Sequence, residues 1–266
     1  MPLWYLLILA VVQGVTEFLP VSSSAHLILV PELTGLPDQG TFLDVAVHVG
    51  TLGAVILYFR TDVARAARGT LGLFRGGRGA DERLALNLLI ATVPIVIAGL
   101  AVKVLLGAEA LRSLAVIGWA TLAFGIALWA FDRYGPATRT EADWSPRHAL
   151  VFGLWQAAAL IPGASRSGTT ITGARMLGYE RHEAARLAML MSIPTILASG
   201  TILVGDVVAE ANWPLMRDAA IGAAFSFVAA LAALHLMMRL LRSVSFTPYV
   251  IYRMGLGVFL LWWAYA

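Results

Sequence analysis

The chain has 266 residues, of which 59% are hydrophobic and 13% charged, with a formal net charge of +3. With glycine counted and tyrosine left out, the apolar share is about 66%, against about 45–50% in soluble domains. That excludes a soluble globule, a disordered chain and a nucleic-acid binder, and points to an integral membrane protein. Cysteine is absent, which also excludes a disulfide framework, a thiolate nucleophile and a thiolate-held metal.

The first apolar stretch, residues 2–31, carries Glu17 and His26 and breaks at Pro20. No basic segment precedes it and Glu17 interrupts it, so a cleaved signal peptide is not expected. Residues 45–59, 84–102 and 113–131 follow as charge-free runs approaching or reaching the roughly 20 residues that a crossing needs. A second interrupted stretch, 149–174, carries Arg166 and breaks at Pro162. Runs at 187–205, 219–238 and 248–266 bring the expected spans to six. Those at 45–59 and 248–266 are the weaker, with Asp44 or Arg253 near an end.

The two interrupted stretches offer roughly 11–18 residues on either side of each break, too few for two full crossings. Helix–loop–helix hairpins that enter the membrane and turn back fit better. Irregular backbone at that depth is tolerated only where protein buries it or a water-filled cavity meets it.

Arginine sets the orientation. The loop 60–83, the connection around Arg133, Arg139 and Arg147, the segment with Arg175, Arg181 and Arg186, and the group Arg239, Arg242 and Arg253 hold 15 of the 18 arginines. All fall on one side of a six-span arrangement, which marks that side as cytoplasmic. The opposite loops carry Glu32, Asp38, Glu109, Asp206, Glu210 and Asp218, with Lys103, Arg112 and Arg217 as their basic residues. Both termini then lie outside, and Trp4, Trp213, Trp262 and Trp263 sit near the outer interface as aromatic anchors.

The halves resemble each other. Gln13 through Pro20-Val-Ser-Ser parallels Gln156 through Pro162-Gly-Ala-Ser with one residue of slippage, and three spans follow each hairpin. The fold expected is all-α and polytopic, six transmembrane helices plus two re-entrant hairpins. Residues 1–135 form one repeat and 148–266 a second, with an odd number of crossings inverting the second copy so that the hairpins meet at mid-depth.

Two constellations carry chemistry. In Gln13-Gly-Val-Thr-Glu17-Phe-Leu-Pro-Val-Ser22-Ser23-Ser24-Ala-His26, Gln13 and Glu17 are one helical turn apart. The serines after Pro20 supply an N-cap, and Ser23 and His26 share a face of the next helix. A hydroxyl, an imidazole and a carboxylate together allow a nucleophile–base–orienter set. The plainer alternative is that the serines only cap a broken helix and His26 bonds a carbonyl. A carboxylate in lipid is costly and usually functional, which favours a role for Glu17.

The second is Pro162-Gly163-Ala-Ser165-Arg166-Ser167-Gly168-Thr169-Thr170. It has the Gly-x4-Gly spacing of a phosphate loop, but Thr169 stands where the lysine belongs, so it is not a nucleotide site. Glycines still let backbone approach a ligand, helix-N-terminal amides attract anions, and Arg166 offers a fork matched to phosphate oxygens. A hinge with one snorkelling arginine is the alternative.

Asp44 and His48, one turn apart, either line the cavity or form a satisfied core pair. His235 reads as core or interface, and His148 and His182 as loop residues. Asp132, Glu141 and Asp143 read as solvated loop charges. The residues alone lead to a membrane site for a phosphorylated lipid.

In these two motifs the chain resembles the bacterial undecaprenyl-pyrophosphate phosphatases of the bacitracin-resistance type, over essentially its whole length. The resemblance implies hydrolysis of undecaprenyl diphosphate to the monophosphate and phosphate in the bacterial plasma (inner) membrane, at a site open to the outer face. It implies Glu17, Ser23, His26 and Arg166 as the catalytic set. Gln13, Ser22, Ser24, Gly163, Ser165, Ser167 and Thr170 would bind substrate. A divalent cation, Mg2+ or Ca2+, would be shared between Glu17 and the substrate phosphates. Implied partners are the lipid substrate and membrane lipids, with a homodimer left open. Two positions depart from the family pattern: Gln13 stands where Glu is common, and Ser24-Ala25 replaces a common Thr-Gly. A transporter or flippase for an anionic polyprenyl-phosphate lipid is the competing class, because inverted repeats and broken helices also build transporters.

Overall fold

The computed structural model describes residues 2–105, 113–210 and 213–266; the side chains of 202–210 fall outside the description. Glu109 and Arg112 therefore lie outside the described residues, as do the side chains of Asp206 and Glu210. Among the described residues the protein is all-helical, with one isolated bridge between Arg139 and Tyr179.

The first interrupted stretch forms α1 (Leu3–Thr16) and α2 (Ser23–Thr34). Then come α3 (Gly40–Tyr58), α4 (Arg60–Leu73), α5 (Ala80–Leu105) and α6 (Leu114–Tyr134). The second interrupted stretch forms α7 (Pro146–Ala157) and α8 (Arg166–Met176), separated by a short 3-10 turn and the Pro162 loop. Last come α9 (Arg181–Glu210), α10 (Trp213–Leu240) and α11 (Thr247–Tyr265).

Among the described residues, five helices (α3, α5, α6, α9 and α10) have a stretch long and apolar enough to cross a membrane, making this a multi-pass membrane protein. None of α1, α2, α7 and α8 exceeds 14 residues, or about 21 Å at the helical rise, short of a roughly 30 Å hydrocarbon core.

Helix α3 packs on α10 and on α9; α1 packs on α10, α7 on α5, α9 on α5, and α6 on α11. Between lipid-embedded helices close van der Waals fit replaces the hydrophobic drive, so small residues line the tightest seams. At Gly50 of α3 a Cβ would stand 2.2 Å from the carbonyl oxygen of Ala223 on α10, so alanine there would force the two helices apart. Phe18, Leu88, Phe152, Leu187, Leu190 and Leu234 belong to one continuous core that runs beneath both interrupted stretches.

Three readings are corrected. Residues 60–83, read as a loop, contain α4; its alanine-rich run 64–67 favours helix, Asp62 sits in its first turn, and glycines at 76, 77 and 79 follow it. His148 and His182, read as loop residues, lie in the first turns of α7 and α9. Asp132, read as a solvated charge, is buried at 4% exposure. It accepts from Arg175 Nε at 3.1 Å, Arg181 Nε at 2.8 Å and the Phe246 N–H at 3.1 Å. Glu141 likewise accepts from Arg65 Nη2 at 2.6 Å and Arg186 Nη2 at 2.6 Å. A long charged side chain beside an apolar helix pairs rather than hydrates when its neighbours supply arginines.

Candidate functional site

Both helix breaks turn on a serine in a left-handed backbone conformation. Ser22 has φ 73° and Ser165 φ 69°, and each immediately precedes the second short helix of its pair. Such torsions cost of order 1–3 kcal/mol in a residue with a Cβ and persist where the surroundings over-determine them. The surroundings here are specific. Arg253 of α11, fully buried, donates to the carbonyls of Pro20, Gly163, Ala164 and Thr121. One guanidinium thus pins both loops. Gly163 sits at φ 92°, and a Cβ there would lie 2.4 Å from the Ile117 carbonyl, so the second loop needs glycine on both counts. Ser167 Oγ donates to the Leu19 carbonyl at 3.0 Å, tying the loops together directly.

Within this frame Glu17 is the hub. It continues the last turn of α1, so Gln13 reaches it along one helix face: Gln13 Nε2 donates to Glu17 Oε2 at 3.0 Å. Ser23 Oγ donates to the same oxygen at 2.8 Å. From the other loop, Arg166 Nη2 donates to Glu17 Oε1 at 2.7 Å. His48 Nε2 of α3 lies 3.6 Å from Glu17 Oε2. Glu17 is only 7% exposed, so the carboxylate is held by its partners rather than by water. Among the described residues, two buried polar atoms of the Glu17 partners have no partner of their own: Arg166 Nη1 and Gln13 Oε1. A buried guanidinium nitrogen without an acceptor is suited to an anion's oxygen.

The other expected residues are arranged differently. His26 Nδ1 lies 2.7 Å from the Ser22 carbonyl, fixing that nitrogen as the N–H donor, and Nε2 lies 2.5 Å from the Tyr252 hydroxyl. The two rings stack at 5.6 Å with 6° between planes. Among the described residues no hydrogen bond joins His26 to Ser23; the serine proton points to Glu17 instead. Ser22 does not cap α2 with its side chain; its Oγ meets Ser24 Oγ at 3.1 Å. Ser165 does cap α8, accepting from the Gly168 N–H at 3.1 Å, and meets Ser167 Oγ at 3.2 Å. The Thr170 hydroxyl is buried against the Arg166 carbonyl at 2.8 Å.

Sequence reasoning left His48 undecided and missed Tyr252 and Arg253. His48 sits one turn from Asp44, but its ring bonds the Asp44 carbonyl and faces Glu17. Nothing local marks Tyr252; only the adjacent Arg253, an arginine inside an apolar run, flagged that turn of α11.

A cavity of about 140 Å³ opens beside the hub, lined by Ser23, Ser24, Asp38, Asp44, His48 and Pro162 among others. On the other side of α2 an apolar cleft of about 430 Å³ runs between α1 and α11 past Val15, Leu19, His26, Tyr249 and Tyr252. A cavity with polar side chains and a greasy cleft beside one short helix suit an amphipathic ligand.

The profile of the family described as bacitracin resistance protein BacA matches residues 6–259, and the chain belongs to that family. It is 62% identical to an undecaprenyl-diphosphatase of Dinoroseobacter shibae and 59% identical to one of Roseobacter denitrificans, each over the full length of both chains. An undecaprenyl-diphosphatase of Maricaulis maris is 47% identical over 98% of both.

A divalent cation fits this donor set only in one form. Among the described residues no group of three His, Asp or Glu side chains could hold one. Both oxygens of Glu17 already accept from protein donors. Among the described residues the unpartnered oxygens nearby are Gln13 Oε1 and, on the cavity wall, Gln39 Oε1, so a cation would have to complete its shell from a ligand's phosphates, as Mg2+ commonly does.

Proposed function

We propose that this protein hydrolyses undecaprenyl diphosphate to undecaprenyl phosphate and inorganic phosphate, recycling the lipid carrier of cell-wall synthesis and so conferring resistance to bacitracin. The names of the full-length relatives supply the substrate. The observation that carries the chemistry is Glu17 holding Ser23 on one side and Arg166 on the other.

In this reading Arg166 Nη1 takes an oxygen of the terminal phosphate while Nη2 stays on Glu17. Ser23 Oγ attacks the terminal phosphorus as its proton passes to Glu17. The Oγ–P bond forms, the bridging P–O bond breaks, and undecaprenyl phosphate leaves with the bonding pair. Water then attacks the phosphoserine, and Ser23 departs with the proton returned from Glu17. One water proton stays on the released phosphate and the other is assigned to His26 Nε2 by way of the Tyr252 hydroxyl that already donates to it. Arg166 and the α8 amides neutralise charge that grows on the equatorial oxygens. Gln13 Oε1, together with the substrate phosphates, would hold a divalent cation, which would add charge neutralisation. The apolar cleft beside His26 suits the prenyl tail.

The same proposal includes the membrane arrangement. The short helix pairs α1–α2 and α7–α8 are re-entrant, α11 is the sixth span, and residues 1–135 and 148–266 are inverted repeats. Support comes from packing that is preserved when the halves are exchanged: α1 on α10 matches α7 on α5, and α3 on α10 matches α9 on α5. Helices α6 and α11 pair with each other, as do α3 and α9. The paired left-handed serines add to it. Both termini then face outward from the bacterial plasma membrane, as does the site.

The test is purified protein in detergent with undecaprenyl diphosphate and no second compartment. Release of inorganic phosphate is expected, and a radiolabelled terminal phosphate should be trapped on wild-type enzyme but not on Ser23→Ala. No release would leave a transporter as the better account. Release at the wild-type rate by Ser23→Ala would replace the serine with an activated water.

A further inference from the structure

At the end of the bundle away from Ser23, a second cavity of about 260 Å³ is lined by Tyr58, His182, His235, Met238, Arg239 and Arg242. Along α3 the separation is about 21 Å, the rise from Asp44 at the first cavity to Tyr58 at the second. The two cavities have opposite character. The first contains Asp38 and Asp44; the second contains two guanidinium groups, two imidazoles and a phenol, and no carboxylate.

Four features together point to a ligand. Arg239 and Arg242 pair with no carboxylate among the described residues, and both line this one cavity. Glu183, 3.8 Å from His182 Nδ1, is itself engaged by Arg186 at 3.1 Å. His182 occupies the first turn of α9, where the helix dipole adds positive potential. The helix surfaces beside it are greasy: Leu57, Leu236 and Leu240, sequence neighbours of the lining residues, are 46%, 57% and 39% exposed.

We infer that this cavity binds the phosphate headgroup of an anionic membrane lipid, separately from the catalytic loops. Forked donors and a phenol suit phosphate oxygens, and the apolar helix surfaces alongside suit acyl or prenyl chains, which a soluble phosphate lacks. The inference does not rest on the hydrolytic reading, and either can fail alone.

The probe is dioctanoyl phosphatidic acid, with dioctanoyl phosphatidylcholine and inorganic phosphate as comparators, added to the intact protein in neutral detergent. Binding is followed by the melting temperature and by native mass spectrometry. Phosphatidic acid should bind and raise the melting temperature, while the comparators should not. Arg239→Gln with Arg242→Gln should weaken its binding about tenfold or more, the scale for losing charge-assisted bonds. His235→Gln on the exposed face serves as an independent variant should the double change disturb folding. The shift should persist in Arg166→Gln, and Arg239→Gln should release phosphate at the wild-type rate. An equal, Arg239-dependent shift with inorganic phosphate would make this a soluble-anion site and overturn the lipid assignment. Binding that ignores the substitutions at 235, 239 and 242, or that disappears with Arg166→Gln, would place the lipid elsewhere. Lost phosphate release in a folded Arg239→Gln would put Arg239 in the substrate path and overturn the separate site.

Discussion

Arg166 and Glu17, 149 residues apart in sequence, meet at 2.7 Å with side chains 14% and 6% exposed. This pair alters what removal of either partner does. An arginine alone in an apolar run is a burden on insertion, so its loss would be benign. An arginine paired with a buried carboxylate leaves that carboxylate uncompensated when it goes, at a cost of about 3–5 kcal/mol. Arg166→Ala should therefore melt lower than wild type, and Arg166→Ala combined with Glu17→Gln should recover much of the loss. Melting curves of the two proteins in the same detergent check this. Equal curves for wild type and Arg166→Ala would mean that the pair contributes nothing.

Tyr252 should act through His26. Its hydroxyl donates to Nε2 at 2.5 Å while the Ser22 carbonyl holds the opposite nitrogen, so the imidazole is fixed in tautomer and orientation. Tyr252→Phe keeps the stacked ring and removes one neutral hydrogen bond, worth a fall in kcat of about 3- to 10-fold with KM little changed. The pH–rate profile should shift as well. A Phe variant matching wild type in both kcat and pH profile would reduce the contact to packing.

Much of this was legible in the sequence, for identifiable reasons. Gln13 and Glu17 are local, one turn apart, and period alone puts them on one face. Ser23 and Arg166 stand out because polar residues in a membrane stretch need partners. Which partner each takes was not legible. Ser23 was matched with His26 by spacing along α2, but the backbone turn at Ser22 aims its hydroxyl back at Glu17 and leaves His26 facing α11. Asp132 looked solvated because its arginines come from residues 175 and 181, more than 40 positions away. Helix α4 was hidden by its charge, since six arginines in 60–83 read as a loop under a charge rule that is blind to helical period.

The cluster of Asp62 and Glu141 makes stability depend on pH. Burial alone would raise both carboxyl groups, but Arg186 and Arg65 outweigh it and hold each below its ordinary value of 3.8 or 4.5. Both are thus more acidic folded than unfolded, so their contribution is complete above the unfolded values and is lost as pH falls through the folded ones. The melting temperature should be level between about pH 5.5 and 8 and decline below about pH 4.5. Asp62→Asn should start lower and decline less. A melting temperature that rises on acidification would contradict the assignment.

Orientation is checked by labelling, which the absence of native cysteine makes clean. Gly77→Cys lies in the turn after α4, on the arginine-rich side. It should resist an impermeant thiol reagent in intact cells and react once the membrane is opened. Reaction from outside would reverse the topology and separate the charge rule from the inverted-repeat arrangement.

In the proposed mechanism phosphate is transferred where Arg166 meets Glu17. The deciding measurement is phosphate release from undecaprenyl diphosphate by purified wild type, Arg166→Ala and Arg166→Lys, at a temperature where melting curves show all three folded. Arg166→Ala should lose about a hundredfold or more in turnover, the scale for one transition-state donor. Arg166→Lys should recover only part, because an ammonium keeps the charge and loses the planar fork. Wild-type turnover by a folded Arg166→Ala would contradict the claim and put the phosphate somewhere else in the protein.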